Sequence, residues 1–130
     1  MAMTDPSFVA HLKEVLPADV RINWRYPTKS EDLVDIEIER VDGCTLLVWY
    51  LVQSGAARML LDLYTFDEVR PDHVLEFIKI FVVDGFCLDV ERVWLARCYT
   101  LTFDIGGTIY SVSRKARNPA AWENRHLANL

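Results

Sequence analysis

The stretch from residue 33 to residue 52 constrains the fold of this chain more than any other. In its first half (residues 34–39), aliphatic side chains alternate with carboxylates, which predicts a strand with one apolar and one acidic face. Asp42 and Gly43 form a hairpin-turn signal, and residues 45–52 are then apolar on both faces. The two segments predict an antiparallel hairpin whose second strand has to be covered on both sides.

The carboxylates of the first strand, Asp35, Glu37 and Glu39, are the most obvious cluster of ionisable groups. Alternate residues of a strand lie about 7 Å apart, where two charges in water repel by only about 0.6 kcal/mol, so no metal is needed to hold them together. No lysine follows at the Glu-x-Lys spacing of nuclease sites. We expect a solvated strand face without a metal, and its functional interpretation is an acidic docking stripe for a basic partner.

The other segments complete an α-β-β-β-β-α-β-β-α order. Residues 86–97 fit either a helix or a strand, and their β-branched and aromatic neighbours favour one long strand that ends at Phe103. The remaining predicted elements are a helix after Asp5-Pro6, strands over 20–26 and 58–65, a helix from Pro71 to a C′ residue at Gly85, a strand over 108–113, and a helix after Asn118-Pro119. The sequence therefore predicts a single α+β domain over residues 1–130, with an antiparallel sheet of about six strands and helices packed on one side.

Charge is distributed unevenly along the chain, which has 130 residues and a net charge of −5. Residues 31–42 carry six acids against one arginine, whereas residues 111–130 carry four cations against one acid. Such polarity favours docking to a charged partner or to a second copy, and an acidic chain is not typical of a duplex nucleic-acid binder. The longest apolar run, residues 46–52, is too short to span a membrane, so we expect no membrane partner.

The three cysteines, Cys44, Cys87 and Cys98, stand among apolar residues. An odd number of isolated cysteines is typical of reduced, buried thiols in a cytoplasmic protein. The first twenty residues contain too many charges for the apolar core of a signal peptide, which favours the same location.

A short hairpin motif, residues 103–108, reads Phe-Asp-Ile-Gly-Gly-Thr. It resembles the first phosphate-binding hairpin of the sugar kinase, actin and heat-shock ATPase superfamily, in which the aspartate works near the metal and the glycines let phosphate approach the backbone. The resemblance covers these six residues only, and two glycines between strands are explained by turn geometry. We therefore predict a structural turn and no cofactor.

The strand residues Trp49 and Tyr50 are consecutive, so they are expected to point to opposite faces, and either is a suitable interface anchor. The element order, size and acidity are similar to those of the small dimeric chaperones of type III secretion effectors, and they also fit immunity proteins and phage inhibitors. This likeness is one of fold only. Because no catalytic motif is found, and because the chain has surplus apolar strand surface and segregated charge, we predict a non-catalytic module that masks a partner's surface and forms a homodimer. We predict Asp35, Glu37, Glu39, Trp49 and Tyr50 as its contact residues.

A second hypothesis belongs to a different class of function. In it, the domain is a small ligand-binding protein or enzyme with a pocket between the sheet and its helices. The polar groups that such a pocket would use are His73, Arg97 and Cys98.

Overall fold

The computed structural model describes residues 4–128 as an α+β fold with two antiparallel sheets and three helices, which confirms the predicted fold class. The elements in chain order are α1 (Ser7–Val15), β1 (Arg21–Arg25), β2 (Leu33–Glu39), β3 (Thr45–Leu51), β4 (Ala57–Leu61), β5 (Tyr64–Val69), a 3-10 turn (Pro71–His73), α2 (Val74–Val82), β6 (Cys87–Val93), β7 (Ala96–Ile105), β8 (Thr108–Ala116) and α3 (Ala121–Ala128).

The first sheet is a meander with the strand order β1-β2-β3-β4-β5. Its β2–β3 hairpin is the one that the alternating pattern predicts, with Gly43 at a φ of 87° in the turn. The side chains of Val34, Ile36 and Ile38 are completely buried, and the carboxylates between them lie on the opposite face. One face of this sheet therefore belongs to the core and the other faces outward.

The second sheet has the order β6-β7-β8 and shares the core of the first. Helix α2 lies between them, because Phe77 stacks on Phe103 of β7 with ring centroids 3.8 Å apart and meets Phe66 of β5 edge-on at 5.1 Å. Strand β5 runs beside β8, but the two sheets remain separate hydrogen-bonded units. Aromatic packing therefore connects the two sheets, which do not form one hydrogen-bonded sheet.

The number of strands differs from the prediction, with eight in place of about six. The segment predicted as one strand over residues 58–65 is β4 and the start of β5, which are separated by a turn at Asp62-Leu63. The long strand predicted from residue 86 is β6 and β7, separated by a turn at Trp94-Leu95. Both turns place a non-glycine residue at positive φ, 53° at Asp62 and 54° at Trp94, so neither has the usual sequence signature of a turn.

Two predicted helix-end residues have other roles. Asp5 does not cap α1; its carboxylate instead accepts hydrogen bonds from Lys13 Nζ at 2.8 Å and Trp24 Nε1 at 2.9 Å. After α2 the left-handed residue is Asp84, with a φ of 58°, and not Gly85. The carboxylate of Asp84 accepts a hydrogen bond from Arg40, which explains an aspartate where glycine would be less strained.

We predict that Trp94→Gly raises the free energy of unfolding by about 1 kcal/mol, because glycine adopts the left-handed conformation without the steric cost that a bulky side chain carries. Urea denaturation measures the change. Asp62→Gly is the matched control: its backbone gains the same relief but loses the hydrogen bond that Trp122 Nε1 donates to Asp62 at 3.0 Å, so its net gain should be smaller. A destabilised Trp94→Gly protein would contradict the prediction.

Candidate functional site

The outward side of the first sheet carries an uninterrupted apolar strip, which we call the outer sheet face. All three helices pack on the other side, as seen from the contacts of Phe8 with Tyr50, Phe77 with Phe66 and Trp122 with Tyr64. The strip follows β3 and extends onto its neighbours where Leu51 pairs with Leu33 and Leu47 with Leu60, while Trp49 lies between Asp35 and Arg58. The strip consists of Leu33, Leu47, Trp49, Leu51 and Leu60, all of them half-buried or exposed.

The carboxylates of β2 border this strip, and two of the three are already neutralised. Arg25 Nε lies 3.1 Å from Asp35, and Arg21 Nη1 lies 3.2 Å from Glu39, in the register that pairs β1 with β2. Within residues 4–128, Glu37 has no ion-pair partner, and it is exposed. The acidic stripe is therefore a row of two ion pairs with one free carboxylate between them.

The other border of the strip carries one further ion pair, which Arg58 forms with Asp67. The Arg58 guanidinium lies over the ring of Trp49, 5.7 Å from the centroid, and 3.1 Å from Asp67 of β5. Trp49 is 37% exposed, and a shallow groove of about 330 Å³ runs beside it between Leu33, Leu51 and Arg58. An aromatic ring with an arginine on it is a common composition for the centre of a protein interface.

Four of the five predicted contact residues lie together, and the fifth does not. Asp35, Glu37, Glu39 and Trp49 share the outer sheet face. Tyr50 points to the core side, where its ring stacks on Phe8 with centroids 4.2 Å apart and burial raises the pKa of its hydroxyl. Trp49 and Tyr50 point to opposite faces of the sheet, as predicted, and Tyr50 packs against α1.

The polar residues of the pocket hypothesis are not brought together. His73 Nδ1 lies 2.8 Å from the hydroxyl of Tyr110, whereas Arg97 pairs across the sheet with Ala116, six residues further along β8. Six residues of a strand span about 20 Å. Cys98 is adjacent to Arg97 and therefore points to the other face of β7.

The cysteines differ from the prediction of three buried thiols, because only Cys44 is buried, while Cys87 is exposed and Cys98 is intermediate. Cys87 begins β6 beyond the cover of the core. Burial raises the pKa of the Cys44 thiol to about 11, and the nearby Arg40 guanidinium only partly opposes the shift. The raised pKa keeps Cys44 protonated and makes it a poor nucleophile.

We predict that iodoacetamide at about pH 8 alkylates Cys87 in the folded protein and leaves Cys44 unmodified, because roughly one Cys44 in a thousand is a thiolate at that pH. Peptide mapping by mass spectrometry separates the sites, and denatured protein is the control in which all three should react. Because folding raises this pKa, the associated stabilisation is lost as pH rises from about 9 to about 11. Alkylation of Cys44 as fast as Cys87 would show that the site opens.

The hairpin at Gly106-Gly107 forms a tight turn with its own internal hydrogen bond. Both glycines have positive φ, 58° and 93°, and the backbone N–H of Gly107 donates to Asp104 Oδ1 at 3.0 Å. The aspartate that would serve a metal in the ATPase superfamily here accepts a hydrogen bond from the turn.

A buried ionic cluster, which the sequence analysis did not single out, connects α3 to both sheets. The carboxylate of Glu123 is completely buried, and it accepts hydrogen bonds from Tyr64 of β5, Arg114 of β8 and the backbone N–H of Ala120. Burial together with the bond to Glu123 raises the pKa of Tyr64. Burial acts to lower the pKa of Arg114, but its bonds to Glu123 and Tyr64 outweigh that effect.

We predict that Glu123→Gln lowers the free energy of unfolding by about 3 kcal/mol, because it keeps the shape of the side chain but leaves the Arg114 guanidinium buried without a counter-charge. Thermal or urea denaturation measures it. Glu76→Gln on α2 is the matched control, since Glu76 is exposed and pairs with Lys79 at 3.7 Å, and its effect should stay below about 0.5 kcal/mol. Equal effects of the two substitutions would contradict a structural role for the buried cluster.

Within the part of the chain that the structure covers, no group of three or more histidine, cysteine, aspartate or glutamate side chains is placed to hold a metal ion. None of the helices there is long and apolar enough to cross a bilayer.

No protein-family model matches the chain, and neither the curated proteins nor the solved structures gave a match.

Proposed function

We propose that the chain is a non-catalytic protein-binding module and that the outer sheet face is its interface. The observation that carries the proposal is the apolar strip centred on Trp49, which spans three strands and has no helix over it. Exposed apolar surface of this kind, bordered by charges, is typical of protein-protein contacts. The pairing of Trp49 with Arg58 adds the two residue types most often found at the energetic centre of such contacts.

The partner that we propose for this face is a second copy of the chain. Across the sheet the charges follow a fixed order on the two sides of the strip: the carboxylates of β2 lie on one side and Arg58 of β4 on the other. Asp35 and Arg58 are each paired within the chain, whereas Glu37 has no ion-pair partner within residues 4–128, so the face is complementary to its own copy in the one orientation that brings Arg58 towards Glu37.

That orientation follows from symmetry. If two copies pack face to face about a two-fold axis parallel to β3, the strand order of one copy is reversed over the other, so β2 lies over β4 and Trp49 lies near its own copy. Arg58 then faces Asp35 in the same cross-strand row and Glu37 in the next row, about 7 Å along the strand. An axis perpendicular to β3 would place the carboxylates of β2 against each other, which electrostatics disfavours.

The wider role that we propose is masking of a partner's surface in the cytoplasm, as an inhibitor, immunity protein or secretion chaperone does. A foreign chain with the same pattern, apolar in the centre with a cation opposite Glu37, would compete with the second copy for the outer sheet face. Three cysteines without a disulfide support the proposed location.

Charge exchange between Glu37 and Arg58 tests the self-docking. Sedimentation equilibrium should find a dimer for the unmodified protein, and Glu37→Arg or Arg58→Glu alone should weaken it about tenfold, because each places like charges face to face. The double variant Glu37→Arg/Arg58→Glu should recover most of the affinity, because the exchange restores complementarity.

The matched control for Glu37→Arg is Glu76→Arg. It makes the same change of net charge at an exposed position of α2 and should leave the dimer unchanged. A monomer at about 100 µM would contradict the proposed partner. A dimer that neither Glu37→Arg nor Arg58→Glu weakens would place the interface elsewhere on the molecule.

A further inference from the structure

The tip of the β6–β7 hairpin is the most exposed apolar feature of the chain. Trp94 is 94% and Leu95 is 89% exposed, and these two residues form the whole turn between the strands. Apart from Leu88, every residue of β6 is exposed, so the far end of this hairpin extends beyond the core. The tip contributes nothing visible to packing, which leaves its composition to be explained.

The backbone conformation of Trp94 is likewise not explained by the packing of the fold. Among residues 4–128, three non-glycine residues have positive φ: Asp62, Asp84 and Trp94. Asp62 accepts a hydrogen bond from Trp122, and Asp84 from Arg40, so for both the side chain accounts for the strained position. Trp94 has no hydrogen bond of this kind within residues 4–128, and a bulky side chain is rare in the left-handed region. Strain that the fold does not use is characteristic of functional positions.

Arginines surround the tip without counter-ions. Arg92 and Arg97 are direct cross-strand partners, an arrangement in which like charges repel, and Arg117 follows β8 beside them. Together with Trp94 and Leu95 they line a depression of about 280 Å³. Among the residues that the structure covers, none of the three arginines forms an ion pair, whereas arginines elsewhere on the surface, such as Arg58, do.

The charge of the whole molecule is polarised about this tip. Residues 91–97 and 115–117 contain four cations and one carboxylate, a local +3, so the rest of a chain of net charge −5 carries −8. An anionic surface would therefore attract the tip and repel the body, which orients the molecule before contact.

We propose that the tip of the β6–β7 hairpin docks onto the anionic surface of a lipid bilayer. Trp94 and Leu95 would enter the boundary between headgroups and acyl chains, a region in which tryptophan is enriched. Arg92 and Arg97 stand two residues behind them, about 7 Å along the strands, which is the level of the lipid phosphates and carboxylates. Trp94 and Leu95 are almost fully exposed, so a bilayer can take them up without a preformed pocket, whereas an acidic protein would have to supply one.

Hydropathy along the sequence predicts no membrane partner because it detects long apolar runs, and the tip has only two fully exposed apolar residues. Peripheral docking needs only a short apolar tip with cations behind it. It uses a part of the molecule separate from the outer sheet face, so it does not depend on the proposed dimer.

Co-sedimentation with vesicles tests the proposal. The protein should bind vesicles that contain about one third phosphatidylserine in phosphatidylcholine and should bind pure phosphatidylcholine much more weakly. Trp94→Ala and Leu95→Ala should each reduce partitioning about tenfold, and Arg92→Ala and Arg97→Ala about fivefold each. Leu63→Ala is the matched control, since Leu63 is 69% exposed in the two-residue turn between β4 and β5 and should have no effect.

Two further measurements distinguish a lipid site from its alternatives. Trp94→Gly is expected to fold at least as stably as the parent, so loss of vesicle binding in that variant cannot come from unfolding. Inorganic phosphate should raise the melting temperature only slightly; an equal, large rise in the parent and in Trp94→Ala would indicate a free-anion site and overturn the proposal. Absence of vesicle binding, or binding that Trp94→Ala leaves intact, would overturn it as well and favour an acidic protein as the partner.

Discussion

The fold depends on how its two sheets are held together where β5 runs beside β8. The sheets are separate hydrogen-bonded units, so side chains have to fix their relative position. The carboxylate of Glu123 does this from α3, because it accepts hydrogen bonds from Tyr64 on one sheet and Arg114 on the other. Burying an ion pair costs desolvation energy, but a carboxylate with three donors at defined positions allows only one arrangement of helix and sheets. The cluster therefore specifies the fold more than it adds to stability.

A second connection lies at the C-terminal end of α2 and explains the strained backbone of Asp84. Arg40, which follows β2, donates to Asp84 at 2.8 Å and to the carbonyl of Phe81 at 3.0 Å, so it holds the last turn of the helix. The other carboxylate oxygen of Asp84 lies 3.0 Å from Nδ1 of His126, whose ring stacks on Phe86. Asp84 thus joins the first sheet, α2 and α3, and glycine at this position would relieve the strain at the expense of both contacts.

The sequence predicts those elements whose pattern reflects their own burial. The alternation around Val34 and Ile36 and the apolar face of α2 follow directly from which side chains are covered. The turns at Asp62 and Trp94 could not be predicted in this way, because each residue is in the turn for a reason outside local propensity. Glu123 was missed for a related reason: a glutamate beside several cations is normally exposed, and only the tertiary fold places Arg114 and Tyr64 around it. The sequence placed Trp49 and Tyr50 on opposite faces without indicating which of them faces the core, and Tyr50 was wrongly expected at the interface, since Phe8, on which it stacks, is far away in the chain.

The two candidate surfaces differ in the interaction that would drive binding. On the outer sheet face, Asp35 and Arg58 are each already paired within the chain, so contact there gains little from new charge pairs and depends mainly on apolar area around Trp49. At the hairpin tip the arginines are unpaired, and bringing an anion to them relieves a repulsion that the folded chain otherwise retains. The first surface can therefore select a partner by shape, with charge order setting the orientation. The second would select first by charge and then by the depth to which Trp94 enters the bilayer, so the two proposed contacts would depend on different interactions.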